Sequence, residues 1–239
     1  MNVAIIFAGG VGKRMHSGGT PKQFLELHGK PILIHTLEVF ELCPDIDGIC
    51  IAIHPDYLDY TKKLCDKFLI SKVKWIVPGG TTGQGSIFNG LDAVYQDCPA
   101  DTVVLIHDGV RPNISTQLIS DNIRCVLAHG SAVSCAQATE TPAEVDETGK
   151  ITDVSPRECA VIAKAPQSFF LGDIYAAHKR AQSEGRLDFI DSASMMGHYG
   201  KALYTVPCRW DNIKITNPSD FYIFRAILEA RENSQIFGL

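Results

Sequence analysis

Short apolar runs alternate with helical apolar stripes along most of this chain, and the runs repeatedly end in glycine-rich or charged segments. Val3 to Phe7 has the length and β-branched content of a buried strand. Behind Pro31, the spacing of Leu33, Ile34, Leu37 and Phe40 predicts a helix returning over a sheet, since proline is tolerated in a first turn. Gly48 to Ile53 reads as a second strand, Tyr57 to Phe68 as a second helix and Val73 to Val77 as a third strand. A helix through Ile87, Leu91 and Val94 follows, with Ser86 expected to cap it. The strand Thr102 to Ile106 then leads to a helix through Leu118, Ile119, Ile123 and Val126. Such alternation predicts an α/β fold with a Rossmann-like, mostly parallel sheet, whose strand ends share one edge where ligands bind.

From Gln137 to about Ala165 the helical period disappears, and prolines, glycine, charge and β-branched residues mix. This stretch predicts a protruding β-hairpin arm with Glu147-Thr148-Gly149-Lys150 at its turn. An exposed arm needs a partner for its edges, and a second copy of the chain is the expected one, giving a homodimer. Beyond the arm, helical spacing returns at Ile174, Tyr175 and His178 and again at Ala193 to Met196. Strands are expected at Ala202 to Val206 and Ile213 to Thr216. The final helix opens at Asn217-Pro218-Ser219-Asp220, which supplies cap, first-turn proline and acidic third position. One domain spanning 1–239, with 137–165 as its arm, accounts for the whole pattern.

Composition narrows the classes. The 239 residues are 45% hydrophobic and 21% charged with a net charge of −5, which argues against a general nucleic-acid or membrane-surface binder and leaves room for a focused anion site. The N-terminal apolar run stops at Gly9 without a basic leader, so a cytoplasmic protein is expected. Eight scattered cysteines lack any C-x-x-C spacing and are expected to pack as small apolar residues.

Candidate chemistry gathers at the predicted strand ends. Ala8-Gly9-Gly10-Val11-Gly12-Lys13-Arg14-Met15, continued by Pro21-Lys22-Gln23-Phe24, combines backbone donors with cations suited to phosphate. Pro78 to Ser86 forms a second glycine-rich loop, and His107-Asp108-Gly109-Val110-Arg111-Pro112 follows another strand. Arg14, Lys22 and Lys214 supply positive charge, and Asp108 and Asp211 are candidate magnesium ligands; together these suit a nucleoside triphosphate. Simpler roles remain open: Asp108 as a turn residue, Asp211 as a solvated turn, Arg111 as a structural ion-pair partner. His107 is expected to be held in the core by a hydrogen bond. A dinucleotide oxidoreductase is disfavoured because the first loop lacks G-x-G-x-x-G, whereas a nucleotide-binding sensor would leave Lys22 and Lys214 without a task.

The ordered set A-G-G-x-G-x-R-M, P-K-Q-F, G-G-x-T-x-x-x-S-I-x-N-G-L, H-D-x-V-R-P, P-Q-S-F and N-I-K-I-T-x-P-x-D spans nearly the whole chain. It resembles the cytidylyltransferase family that joins the 2-C-methyl-D-erythritol 4-phosphate and ribitol-5-phosphate enzymes. The resemblance implies a nucleotidyltransferase fold of the glycosyltransferase-A-like kind, an arm-mediated homodimer, CTP and a polyol phosphate as substrates, and Mg2+ as cofactor. It implies that Ala8, Gly9, Gly10, Gly12, Arg14 and Lys22 hold the CTP phosphates, and that Gly80 and Ser86 surround cytosine and ribose. Asp108 would bind magnesium, Lys214 would stabilise the α-phosphate, and Thr141 and Arg157 would bind the acceptor, Arg157 from across the dimer. Arg14, Lys22 and Lys214 would then be the catalytic cations of an in-line attack by the acceptor phosphate, with pyrophosphate leaving. Three departures concern the acceptor: Gly83 where an arginine is common, Ala165 where a threonine precedes Pro-Gln, and Ile190 where a threonine precedes Asp191. With Val110, Gln23-Phe24 and Pro166-Gln167-Ser168-Phe169, they lean toward ribitol 5-phosphate, methylerythritol phosphate being the alternative.

Overall fold

A computed structural model of the chain describes residues 1–10 and 20–237. In chain order the elements are β1 (Asn2–Ala8), the small hairpin β2 (Glu26–Leu27) and β3 (Lys30–Pro31), α1 (Ile32–Leu42), β4 (Gly48–Ile53), α2 (Leu58–Lys67), β5 (Val73–Pro78), α3 (Gly83–Asp97) and β6 (Val103–Asp108). They continue with α4 (Thr116–His129), β7 (Ser131–Gln137), β8 (Ala143–Val145), β9 (Ile151–Val154), β10 (Val161–Phe170), α5 (Leu171–Ser183), α6 (Ser192–His198), β11 (Thr205–Pro207) and α7 (Pro218–Phe237).

A seven-stranded sheet in the order β11-β7-β10-β6-β1-β4-β5 carries the fold. Its strands pair in parallel except β10, which runs antiparallel to both β6 and β7. The period-2 alternation of the strands sorts their side chains onto two faces. Ala4, Ile6, Ile49, Ile51 and Leu105 pack with α1, α2 and α4, whereas Val3, Ile5, Cys50, Val104 and Ile106 pack with α3, α5 and α6. A Cβ on Gly90 would come within 2.9 Å of Ile5 Cγ2, so the glycine lets α3 settle directly on β1. Cys43, Cys50, Cys65, Cys98 and Cys135 are buried, in line with packing as small apolar residues. Among the described residues, no helix is long and apolar enough to cross a membrane.

Register brings the site edge together. Phe7 pairs with Asp108 across β1 and β6, and Ala8 pairs with Ile53 across β1 and β4, so these strands end level. The chain passes from β5, at one edge of the sheet, over β1 to β6, and this reversal opens the crevice expected at a topological switch point.

The arm is an antiparallel β8–β9 hairpin. Asp146 accepts hydrogen bonds from the Thr148 and Lys150 amides, and Gly149 takes the left-handed φ of 84° that the turn requires. Three expectations change. Ser86 is not the cap of α3: Thr82 caps it, its Oγ1 accepting from Gly85 N at 3.0 Å, and Ser86 is buried in the first turn. Residues 213–216 form no strand, because the surrounding carbonyls serve side-chain cations instead: Asn212 O accepts from Arg111 and Lys164, and Ile215 O from Lys22. Strand β10 extends the sheet beyond the arm although Pro166, Gln167 and Ser168 interrupt the apolar pattern, the register shifting between Ala163 and Gln167.

Candidate active site

The two glycine-rich segments meet at the ends of β1 and β5. Gly79 N–H donates to Ile53 O at 2.6 Å, and a Cβ on Gly9 would lie 2.8 Å from Ser86 Oγ. A Cβ on Gly80 would lie 2.7 Å from the Gly85 carbonyl carbon, so only glycine lets this loop fold onto the start of α3. Ser86 Oγ accepts from Gly80 N at 3.1 Å and donates to Thr82 O at 2.9 Å, holding the loop closed. These contacts leave a cavity of about 320 Å³ lined by Ala8, Gly9, Gly10, Lys22, Gly80 and Ser86 together with Asp108 and Lys214. Gly12 and Arg14, expected at the same site, lie outside the described residues.

Lys22 is placed by its neighbours. It begins a short 3-10 turn in which Gln23 is buried and donates from Nε2 to Ala8 O at 3.0 Å, while Phe24 packs against Tyr57 and Tyr60. Lys22 Nζ donates to the carbonyl of Ile215, the residue after Lys214, at 3.0 Å. The two lysines, 192 positions apart in sequence, thus approach one edge of the cavity from opposite sides.

Asp108 is the charged centre of the edge. As the last residue of β6 it is buried, with Lys214 Nζ 2.6 Å from Oδ1 and Arg111 Nε 3.0 Å from Oδ2. Burial acts to raise its carboxyl, but the Arg111 and Lys214 charges and the Lys214 hydrogen bond outweigh it, so the group lies below the ordinary carboxylate value. Arg111 has the structural role expected of it, donating also to Asn212 O at 2.7 Å and so tying the Lys214 segment to β6. Lys164 reinforces this segment from β10, donating to Trp210 O at 2.6 Å.

His107 is wholly buried, and its Nε2 pairs with Arg111 O at 3.0 Å, as its core role requires. Since a carbonyl can only accept, the proton is assigned to Nε2. Burial pushes both His107 and His178 down to about 4. Both therefore stay neutral in the fold while the unfolded chain takes up protons near pH 6.5, so the stability from their neutral burial is present above that pH and lost as pH falls toward 4. Unfolding in urea at pH 6.5 and pH 4.5 is expected to differ by about 2–3 kcal/mol per imidazole. A flat profile across that interval would contradict the burial of these rings.

Asp211 is not part of this edge. Its carboxylate is chelated by Arg209, with Nη2 to Oδ2 at 2.8 Å, and it lines a separate recess with Asn113, Cys208 and Arg231. The magnesium role expected for Asp211 is thus corrected by its place: it lines the recess with Asn113 and Arg231 and neither of the cavities that Asp108 lines. Thr141 and Arg157 are exposed on the arm and line neither cavity within one chain; Arg157 Nη1 donates to Thr139 O at 3.4 Å.

A second cavity of about 300 Å³ adjoins the first and shares Phe7, Thr82, Gly83, Asp108 and Lys214 with it. Its outer wall is the stretch Leu187 to Asp191 before α6. Gln84 straps that wall to the start of α3, donating to Arg186 O at 3.0 Å and accepting from Phe189 N at 3.2 Å. Gln167 donates to Asp191 Oδ2 at 2.8 Å and accepts from Ala193 N, while Asp191 caps α6. Sequence reasoning had Gln167 inside a motif and Asp191 beside a departure, but neither Gln84, Lys164 nor His178 carried a signal separable from an ordinary helix or strand position. Gly83, Ala165 and Ile190, the three departures from the family pattern, all line this second cavity.

Comparison with known proteins matches this architecture. A relative from Streptococcus agalactiae serotype III (strain NEM316), described as ribitol-5-phosphate cytidylyltransferase, is 50% identical over 239 residues, covering 100% of both chains. A 2-C-methyl-D-erythritol 4-phosphate cytidylyltransferase from Geotalea uraniireducens (strain Rf4) is 40% identical over 228 residues, 95% of this chain and 96% of that one. The crystal structure of 4-diphosphocytidyl-2C-methyl-D-erythritol synthase from Anaerococcus prevotii DSM 20548 superposes with a TM-score of 0.82 over 95% of this chain and 96% of that chain at 24% identity, a likeness of fold. Residues 2–230 match the family described as IspD, 2-C-methyl-D-erythritol 4-phosphate cytidylyltransferase, and the chain belongs to this cytidylyltransferase family.

Proposed function

We propose that the protein transfers CMP from CTP to ribitol 5-phosphate, giving CDP-ribitol and pyrophosphate. The observation that carries this reading is that Asp108 and Lys214 line both cavities, so a nucleotide in the glycine-lined one and an acceptor in the other would meet beside them. Gly9, Gly10 and Gly80 offer close backbone approach to the triphosphate, and Lys22 lies at its edge. Lys214 would neutralise charge that develops on the α-phosphate during in-line displacement, a step that needs positioning and electrostatics and no covalent enzyme intermediate. The acceptor phosphate is already an anionic nucleophile.

The donor set would fit a magnesium ion shared with the triphosphate once Lys214, 2.6 Å from Asp108 Oδ1, turns from the carboxylate to the α-phosphate. Asp108 supplies one buried carboxylate at the meeting point of the cavities, and magnesium characteristically combines one or two carboxylates with phosphate oxygens and water. Among the described residues, no group of three or more His, Cys, Asp or Glu side chains could hold a metal unaided. When bound, the ion would supply neutralisation of phosphate charge, with Asp108 as its protein ligand.

Ribitol 5-phosphate is favoured as acceptor by the 50% identity to the Streptococcus agalactiae relative of that description and by the departures Gly83, Ala165 and Ile190 lining the acceptor-side cavity. The arm carries exposed Val145, Ile151, Val154, Val161 and Ile162, an apolar set that supports homodimer formation and delivery of Thr141 and Arg157 to the partner's second cavity. Pyrophosphate release from CTP, measured with ribitol 5-phosphate, methylerythritol phosphate and glycerol phosphate, tests the reading. Ribitol 5-phosphate is expected to give at least a ten-fold higher kcat/KM than either alternative, about 1.4 kcal/mol of discrimination. A preference for methylerythritol phosphate would overturn the acceptor, and no turnover with any of them would overturn the reaction.

A further inference from the structure

The second cavity has a mixed wall, with carbon from Phe7, Ile87, Leu187 and Met195 beside polar groups. Its Gln167 and Asp191 side chains already bond each other, Gln167 also binds the first turn of α6, and Gln84 is occupied by the outer wall. His178 differs from them. It projects from α5 into the layer between α5 and α3, where its ring lies 5.9 Å from that of Phe88, and it is only 1% exposed. It lines the cavity, yet its Nε2 is buried and has no hydrogen-bond partner among the described residues. Buried polar atoms are almost always paired, and on this face of α5, beside Ile174, Ala177 and Ala181, an apolar side chain would serve the core without leaving a polar atom unpaired. Thr61 Oγ1, Thr102 Oγ1, His107 Nδ1 and Asn212 Oδ1 are likewise buried without a partner among the described residues, and of these five residues only His178 lines this cavity.

We propose that His178 is a specificity-determining residue of the second cavity, its imidazole forming a hydrogen bond with a hydroxyl of the acceptor's polyol chain. The inference rests on the assignment of this cavity to the acceptor. Burial keeps the ring neutral, with one nitrogen able to donate and the other to accept. That pairing suits a hydroxyl, which can do either, and does not suit a phosphate, which calls for cations. Lys214, shared with the first cavity, marks the boundary between the two, and Arg111 and Lys164 also line the second. An acceptor with its phosphate at that boundary would extend its hydroxylated chain along the cavity wall toward His178.

The test compares the full-length protein with H178L and H178Q at saturating CTP. In H178L the KM for ribitol 5-phosphate is expected to rise about ten-fold, with kcat and the KM for CTP within about two-fold of wild type. Because leucine removes a buried unpaired polar atom, the thermal midpoint at pH 7 should hold or rise, and H178Q, which keeps a donor and an acceptor, should recover part of the affinity. Ribitol 5-phosphate analogues each lacking one hydroxyl supply the second readout. One analogue should lose affinity with wild type and lose none further with H178L. An acceptor KM unchanged in H178L, or equal changes in the acceptor and CTP constants, or equal losses with every deoxy analogue, would overturn the inference while leaving the reaction intact. No turnover by the wild-type protein with any polyol phosphate would overturn the reaction and this inference together.

Discussion

Replacing Lys214 with alanine is expected to lower kcat by about a hundred- to a thousand-fold while changing CTP affinity by less than about ten-fold, the scale seen when one transition-state donor is removed from a preorganised site. The geometry supports such a split. Lys214 Nζ is held 2.6 Å from Asp108 and lies over the Phe7 ring at 5.8 Å, so its charge is fixed at the boundary of the cavities before any ligand binds. CTP would retain the glycine segments and Lys22, which also line the first cavity. Charge that develops at the α-phosphate would lose its nearest fixed cation. Single-turnover pyrophosphate release and calorimetric titration with CTP measure the two quantities separately. Equal losses in turnover and binding would instead describe a nucleotide-binding module in which Lys214 only recruits the triphosphate.

Replacing Arg111 with methionine should cost about 3 kcal/mol of stability, because it leaves the buried Asp108 carboxylate with Lys214 as its remaining charge partner. Arg111 and Asp108 side chains are 11% and 7% exposed, so solvent cannot replace the lost guanidinium. The same substitution frees Asn212 O from one of its donors and loosens the 212–215 segment, so kcat should fall as well. Urea denaturation at pH 7 gives the stability change; a loss under about 1 kcal/mol would show that the pair behaves like an exposed one. The acid limb offers a second view. Because the Asp108 carboxyl is held below its ordinary value, its contribution is present above that value and is lost as pH falls through the lower folded-state value, a limb that R111M should weaken.

Much of the site was legible because its chemistry sits at strand ends, where a periodic apolar run gives way to glycine or charge. Asp108 closes β6, Gly9 and Gly10 follow β1, and Gly79 and Gly80 follow β5, so reading the runs also located the residues. Ser86 was associated with the right loop through the wrong device, because Thr82 and Ser86 are both plausible caps four residues apart and only the backbone path chooses between them. Lys214 was placed by an expected strand over 213–216 and by its motif; the strand does not form, and cations from distant elements hold the Asn212 and Ile215 carbonyls on either side of it. Asp211 illustrates the opposite failure. Three positions from Lys214, it faces another recess, because Arg209 two residues away captures its carboxylate.

Local pattern alone determined the α/β alternation, the mostly parallel core and the hairpin arm, since the strands, helices and turn that make them are each legible from their own residues. Tertiary structure decided the rest: that β10 enters the sheet antiparallel, that Lys22 and Lys214 converge, that Gly83, Ala165 and Ile190 line one cavity, and that His178, spaced like a core residue, lines it too with its buried Nε2 unpaired among the described residues. These depend on where chain segments up to 193 positions apart come to lie. Periodicity reports which face of an element is buried, and it carries no record of what that face is buried against.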